Sequence, residues 1–170
     1  MPSSEKDLLY IQTSLPELKK YLLSEILYYP LTGSLPRLTV GGLLLAQHRV
    51  GEEKLGTSLA QKLATVKTSW RVAWTQKSTR ELEARLRLWR NYLNDYRNKP
   101  EEYIADYPHE IRLRVMIELL SAEADQIPDE ITILDKLLRA NFLSGEFIWD
   151  ERLEAQFPED RFWFLYGKLR

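Results

Sequence analysis

Residues 52–98 read EEKLGTSLAQKLATVKTSWRVAWTQKSTRELEARLRLWRNYLNDYRN, and this stretch decides the fold class. Its apolar residues recur at steps of three and four, the spacing that places them on one side of an α-helix. They are Leu55, Leu59, Leu63, Val66, Trp70 and Trp74 and, after a polar gap, Leu82, Leu86, Trp89, Leu93 and Tyr96. No proline interrupts the pattern, although proline breaks a helix interior by removing an amide donor. The stretch therefore predicts nearly continuous helix.

The eight prolines of the chain fall between helical segments. Proline is tolerated in the first turn of a helix and in connections, so these positions mark the joints between helices. They are Pro2, Pro16, Pro30, Pro36, Pro100, Pro108, Pro128 and Pro158. No segment has a convincing strand pattern. We predict an all-α fold, an antiparallel bundle of about six to seven helices. It would form a single domain over residues 1–170, in which residues 1–13 either hold a short helix or fray.

The long helical stretch requires a break. One unbroken helix over residues 52–98 would be about 70 Å long, too long for a domain of this size. We expect the break in the polar segment 75–79. Ser78 and Glu81 have the spacing of a capping box, which would start the second helix. Residues 108–124 predict a further helix that is apolar on two faces, which is typical of a central position.

Two adjacent glycines, Gly41 and Gly42, stand near the start of a helix predicted over residues 37–50. Each costs about 1 kcal/mol in a helix interior, so they indicate that something approaches the backbone closely. We favour a neighbouring helix, and a ligand is the alternative. The free amides of this helix start would also attract an anion, with Arg37 nearby.

The composition excludes several kinds of chemistry. The chain has no cysteine, which removes disulfides, thiolate catalysis and cysteine-ligated metals. Its net charge is −1, so no overall field attracts nucleic acid or anionic lipid. The polar N-terminus is unlike a signal peptide, and no apolar run approaches the ~20 residues that a membrane span needs. We therefore expect a cytoplasmic protein without membrane contact.

No motif for catalysis or for a cofactor stands out. Neither His48 nor His109 follows a carboxylate on a helix at the spacing that di-iron bundles use. The chain has no Gly-x-Ser-x-Gly element and no glycine-rich phosphate loop. We predict no catalytic residue, no cofactor and no metal site, and we favour a protein that is not an enzyme.

Charge is distributed unevenly along the chain. Residues 67–99 carry nine basic and three acidic residues, whereas residues 100–170 carry eight basic and sixteen acidic ones. Basic side chains among aromatic rings bind single-stranded nucleic acid through phosphate contacts and base stacking. The candidate basic patch is Arg71, Arg80, Arg85, Arg87, Arg90 and Arg97, interleaved with Trp70, Trp74, Trp89, Tyr92 and Tyr96. Because these aromatic residues share the spacing of the leucines, we favour a core position for them.

Three charged residues are candidates for buried polar groups. Glu25 lies in a helix, predicted from Ser14 to Tyr29, that is apolar nearly all round. Arg114 and Glu118 form an i, i+4 pair in the helix predicted to be central. A buried charge must be paired, so these residues would lock the fold or line a pocket.

The C-terminal region is rich in aromatic residues, more than a small core needs. Large exposed aromatic patches mark interfaces. The candidate interface residues are Trp149, Phe162, Trp163 and Phe164.

The sequence leaves three functions open. The first is a non-enzymatic protein-interaction or scaffold module that binds a protein partner or a second copy of itself. The second is nucleic-acid binding through residues 67–99. The third is a small-molecule pocket between helices, near Glu25 or the Arg114–Glu118 pair. The missing catalytic motifs and the aromatic content make the interaction module our first prediction.

Overall fold

In the computed structural model, which describes residues 4–170, the chain is mostly helical, as the apolar spacing predicts. The helices are α1 (Ser4–Ser14), α2 (Leu18–Leu23), α3 (Val40–Val50), α4 (Glu52–Leu55), α5 (Thr57–Ser69), α6 (Arg71–Asn98), α7 (Pro100–Tyr103), α8 (Tyr107–Ser121) and α9 (Glu130–Ala140). Two short strands, β1 (Phe142–Phe147) and β2 (Tyr166–Leu169), form a small antiparallel sheet. The all-α prediction is therefore right for the helices and wrong for these two segments. The antiparallel bundle arrangement stays a prediction.

The strands are missed because their pairing is irregular. A bulge lies between Ser144 and Phe147, and it interrupts the alternation that reveals a strand in a sequence. Gly167 of β2 has a φ of 153°, and a Cβ there would lie 2.2 Å from the carbonyl oxygen of Leu143. Only glycine permits such an approach, so the pairing depends on a residue without a side chain.

The break in the long helical stretch lies at Trp70, not in the polar segment 75–79. Trp70 has φ −120° and ψ 41°, which ends α5 before α6 begins. α6 then runs unbroken for 28 residues, about 42 Å. The stretch is thus three helices, α4, α5 and α6, because Gly56 with a φ of 82° separates α4 from α5. The break before α6 lies eight residues earlier than the capping signal predicts.

The capping signal fails because its residues have tertiary roles. Lys77, Ser78 and Glu81 are all buried, although their polarity suggests an exposed gap. The Ser78 hydroxyl donates to the carbonyl oxygen of Trp74 at 2.7 Å, inside the helix. Buried polar groups must find partners, and here they find them without ending the helix.

The chain divides into two compact units. Unit 1 comprises Met1–Leu82 and Leu119–Gln126, and unit 2 comprises Glu83–Glu118 and Ile127–Arg170. In unit 1, α1 packs against α3 and buries Asp7, Tyr10 and Ile11. Of the two alternatives for residues 1–13, the short helix is the one observed from Ser4 onward, and residues 1–3 lie outside the described range.

The start of α3 explains the two adjacent glycines. The amide of Gly41 donates to both carboxylate oxygens of Glu81, at 3.0 and 3.1 Å. Gly42 donates to the hydroxyl of Thr39, which caps the helix, and lies against the Tyr10 hydroxyl. The close neighbours are thus side chains, not a helix backbone. The anion that the helix start attracts is the protein's own Glu81.

α8 has the burial that its two apolar faces predict. Its buried apolar side chains are Tyr107, Ile111, Leu113, Val115, Met116, Ile117, Leu119 and Leu120.

Over residues 4–170, no helix combines the length and the apolar character that crossing a bilayer requires.

Candidate functional site

A cleft of about 600 Å³ opens in unit 1 between the C-terminal end of α2 and the first half of α6. Its lining is part apolar and part charged, with groups of both signs. The lining residues are Leu22, Leu23, Ser24, Glu25, Ala73, Thr75, Gln76, Lys77, Thr79, Arg80 and Asp125. Ligand sites of ~300–1,000 Å³ are common, so the cleft has room for a small ligand or for several side chains of a partner.

Lys77 of α6 holds the chain segment that forms one wall of this cleft. Its Nζ atom donates to the carbonyl oxygens of Ser24 and Ile26, at 2.7 and 2.8 Å. The same ammonium group lies 4.6 Å from the centre of the Tyr21 ring, within cation–π distance. These contacts use a charged group of α6 to fix the backbone that follows α2.

The anchoring by Lys77 also explains why α2 is short. The apolar pattern predicts a helix through Tyr29, but α2 ends at Leu23. The hydroxyl of Tyr21 donates to the carbonyl oxygen of Leu27 at 3.0 Å, and this contact holds the chain in its non-helical path. Hydrogen bonds from the distant Lys77 and from the nearby Tyr21 thus bind carbonyl oxygens of the segment that the pattern assigns to the helix.

The α6 wall of the cleft carries excess positive charge. Burial lowers the pKa of Lys77 below its ordinary value of 10.5, and the neighbouring Arg80 lowers it further. The Glu25 carboxylate raises this pKa, but by less than Arg80 lowers it. Burial and a like charge both disfavour the ammonium form. Of these two charged neighbours, Arg80 therefore has the larger effect on the pKa of Lys77.

Arg80, Glu25 and Asp125 are exposed cleft residues. The Arg80 guanidinium donates one long hydrogen bond, 3.5 Å, to the carbonyl oxygen of Glu25, so its other donors face solvent. Thr79 positions Asp125, because its hydroxyl accepts from the Asp125 amide at 3.0 Å. The cleft thus combines an ordered wall with a guanidinium that is free to receive an anion.

Exposed apolar side chains accompany these charged groups. Leu23, which lines the cleft, is 55% exposed. Val72 is 72% exposed and lies on α6 one turn before Gln76, so it shares that residue's side of the helix. Single exposed apolar residues are ordinary, and Leu23 differs from them in that it lines a cleft.

The buried polar residues predicted from the sequence have different outcomes. Glu25 is exposed, so its predicted burial is wrong, because the helix that would bury it ends before it. Arg114 is buried, as predicted, and pairs with Glu118 at 3.2 Å, but the predicted burial of Glu118 is wrong because its side chain is partly exposed. Arg114 also donates two hydrogen bonds of 2.8 Å to Asp135. This network belongs to unit 2 and lies outside the cleft.

The predicted aromatic interface is largely core. Phe162 and Phe164 are fully buried, so their place in an exposed patch is wrong. They pack edge to face on each other in unit 2, with ring centres 6.1 Å apart. Trp149 and Trp163 are half-buried, and Trp163 stacks against the Arg139 guanidinium at 3.6 Å. These four aromatic residues therefore do not form the exposed patch that the sequence predicts.

Most arginines of the predicted basic patch are exposed, but most of the aromatic rings between them are buried. Arg71, Arg80, Arg87 and Arg97 are exposed, whereas Arg85 and Arg90 are half-buried. Arg90 pairs with Glu130 at 2.8 Å. The core position favoured for the aromatic residues is confirmed for Trp74, Trp89, Tyr92 and Tyr96. Base stacking on these four rings is therefore not available.

Within the described part of the chain, no group of three or more His, Asp or Glu side chains is placed to hold a metal ion. What the cleft can do is bind: its guanidinium suits a carboxylate, and Leu23 suits an apolar group. Comparisons with models of protein families, with curated proteins and with solved structures find no match.

The sequence reasoning missed Lys77, the residue that shapes the cleft. A signal exists, because Lys77 lies three residues after Trp74 and four before Glu81, on the side of α6 that is buried. A lysine within a buried stripe indicates a specific acceptor elsewhere in the fold.

Proposed function

We propose that this protein is a non-enzymatic interaction module that binds a short segment of a partner protein in the unit 1 cleft. The single observation that carries the proposal is the exposed Leu23 side chain in the same ordered cleft as the exposed Arg80 guanidinium. A peptide segment offers apolar and polar groups at adjacent residues, which is the combination that this lining matches.

The expected affinity follows from the exposed groups. Full burial of a leucine-sized side chain contributes about 1.5–3 kcal/mol, and Leu23 and Val72 are two such side chains. Association itself costs several kcal/mol in lost motion. We therefore expect weak binding, with Kd no tighter than about millimolar. Complexes of that strength are transient and suit a module that exchanges partners.

A free small molecule is the alternative occupant of the same cleft. The volume and the polar lining support it, and the position of Glu25 in the lining agrees with the pocket hypothesis. The exposed Leu23 and Val72 favour a peptide, because a small molecule inside the cleft would leave much of this apolar surface in water.

The test is selection from a random peptide library on the full chain. Ala73→Trp places an indole in the cleft, and Ala64→Trp places the same group on the exposed surface of α5 as a matched control. Leu23→Asp is a second variant designed to prevent binding. Because Leu23 is exposed, this substitution does not bury a charge. Thermal unfolding confirms that each variant is folded.

The proposal expects selected peptides to bind the wild type and Ala64→Trp alike. Binding to Ala73→Trp and Leu23→Asp should be at least about tenfold weaker, a loss of 1.4 kcal/mol or more. A library that yields no specific binder overturns the proposal. Peptides that bind both blocked variants as well as the wild type overturn it too.

A further inference from the structure

We infer that the bound segment presents one carboxylate to Arg80 beside an apolar side chain that packs on Leu23. This inference rests on the proposed function and names the chemistry of the partner. It excludes a basic residue at the position that faces Arg80, and it excludes segments with several acidic residues.

The α6 wall of the cleft carries two cations, Lys77 and Arg80, and only one of them is accessible to a ligand. The Lys77 ammonium is 3% exposed and donates to two backbone carbonyl oxygens, so a ligand cannot pair with it directly. Arg80 is exposed and has donors that face solvent. Arg80 is therefore the group that a partner anion reaches, and a guanidinium binds a carboxylate through two parallel hydrogen bonds.

A carboxylate bound to Arg80 would relieve the repulsion between the Arg80 and Lys77 charges. Arg80 follows Lys77 by one helical turn, and its charge disfavours the buried ammonium more than Glu25 favours it. An anion on Arg80 offsets that repulsion and stabilises the anchor that shapes the cleft. A cationic residue at the same place would add a third positive charge.

The carboxylates in the cleft lining limit the number of acidic residues that the bound segment can have. Glu25 and Asp125 are exposed in the lining. A second acidic residue in the segment would meet one of these carboxylates, and the repulsion discriminates against strongly acidic sequences. The preferred segment therefore has one acidic residue next to an apolar one.

The experiment uses a peptide library in which a fixed leucine is followed by one randomised position. On the wild type, Asp and Glu should be enriched over Asn and Gln by about two- to fivefold, the range that exposed ion pairs reach. Arg80→Gln should remove the preference, and Arg80→Glu should turn it toward Lys and Arg. Arg71→Glu is the matched control, because Arg71 is an exposed arginine of the same helix outside the cleft lining.

The two proposals fail in different ways. Binding that Ala73→Trp abolishes but that shows no acidic preference overturns this inference and leaves the interaction module standing. An acidic preference that persists in Arg80→Glu also overturns the inference. The absence of any binding sensitive to Ala73→Trp overturns the proposed function itself.

Discussion

The backbone amide of Gly41 donates hydrogen bonds to both carboxylate oxygens of Glu81, which lies 40 residues later in the chain. Glu81 is fully buried, and its charge meets the positive end of α3, where free amides stabilise an anion. The carboxylate approaches so closely that only glycine fits, because a Cβ on residue 41 would lie 2.2 Å from Glu81 Oε2. One contact thus joins the start of α3 to the middle of α6.

Gly41→Ala should destabilise the protein, since the added methyl group displaces the buried carboxylate. We expect a loss of about 1–3 kcal/mol in the free energy of unfolding, measured by chemical denaturation. Gly145→Ala is the control, because a Cβ there meets its nearest atom at an ordinary 3.7 Å. The control should change stability by less than about 0.5 kcal/mol. Equal stability of Gly41→Ala and the wild type would contradict the contact.

Substitutions of Glu81 should separate its charge from its hydrogen bonds. Glu81→Gln keeps an acceptor for the Gly41 amide and loses the charge at the helix start, which costs about 1 kcal/mol. Glu81→Leu leaves that buried amide without this acceptor and should cost a further 1–3 kcal/mol or so. The same denaturation assay ranks the variants. A leucine variant as stable as the glutamine variant would show that the amide does not need Glu81.

Arg114→Leu should be among the more damaging substitutions in unit 2. It removes the hydrogen bonds that Asp135 and Glu118 accept from Arg114, and because both carboxylates are partly exposed we expect a cost of about 1.5–3 kcal/mol. The exposed pair of Arg152 and Asp150 provides the control, because the Arg152 side chain is 85% exposed. Arg152→Leu should leave the free energy of unfolding close to that of the wild type. Similar losses in both variants would contradict a special role for the buried network.

Stability should fall as the pH rises above about 10, because buried tyrosines cannot ionise in the folded chain. Burial raises the pKa of Tyr107 above its ordinary value of 10.0, and Tyr92 shifts in the same direction for the same cause. The unfolded chain then releases protons that the folded chain keeps, so unfolding is favoured by about 1.4 kcal/mol per pH unit for a group such as Tyr107. The lowered pKa of Lys77 has the opposite effect on stability. Below about pH 10.5 the folded chain releases the Lys77 proton before the unfolded chain does, so this group makes stability rise with pH.

Tyr107→Phe isolates the tyrosine contribution to this alkaline loss. The variant loses the hydrogen bond from Tyr107 to the Phe164 carbonyl oxygen, so it should be less stable at neutral pH. Its stability should nevertheless fall less steeply than that of the wild type between about pH 10 and pH 11. Denaturation curves across this range give both slopes, and parallel slopes would contradict the assignment.

Much of the helical framework could be predicted from local patterns. The stop at Asn98 before Pro100 is where the sequence predicts it, and Gly51 ends α3 with a φ of 82°, as its position suggests. The burial of the apolar faces of α6 and α8 also agrees. These features depend on residues within one or two turns, so the information for them is local.

The errors cluster where a distant residue changes the outcome. Ser78 and Glu81 have a capping pattern, yet Glu81 is used by Gly41 of another helix. Glu25 lies in an apolar run, yet the contacts of Lys77 keep its backbone out of a helix. Of the cleft, the sequence marked Glu25 and Arg80 as candidates but did not place them together.

The sequence by itself determined that this protein is built mostly from helices, because proline positions and a spacing of three to four residues act within each segment. Only the tertiary structure decided which polar residues are buried, where α2 and α5 end, and that a cleft forms beside Leu23 and Arg80. The physical reason is that a buried charge needs a partner, and the partners of Glu81 and Lys77 lie about forty to fifty residues away in the chain.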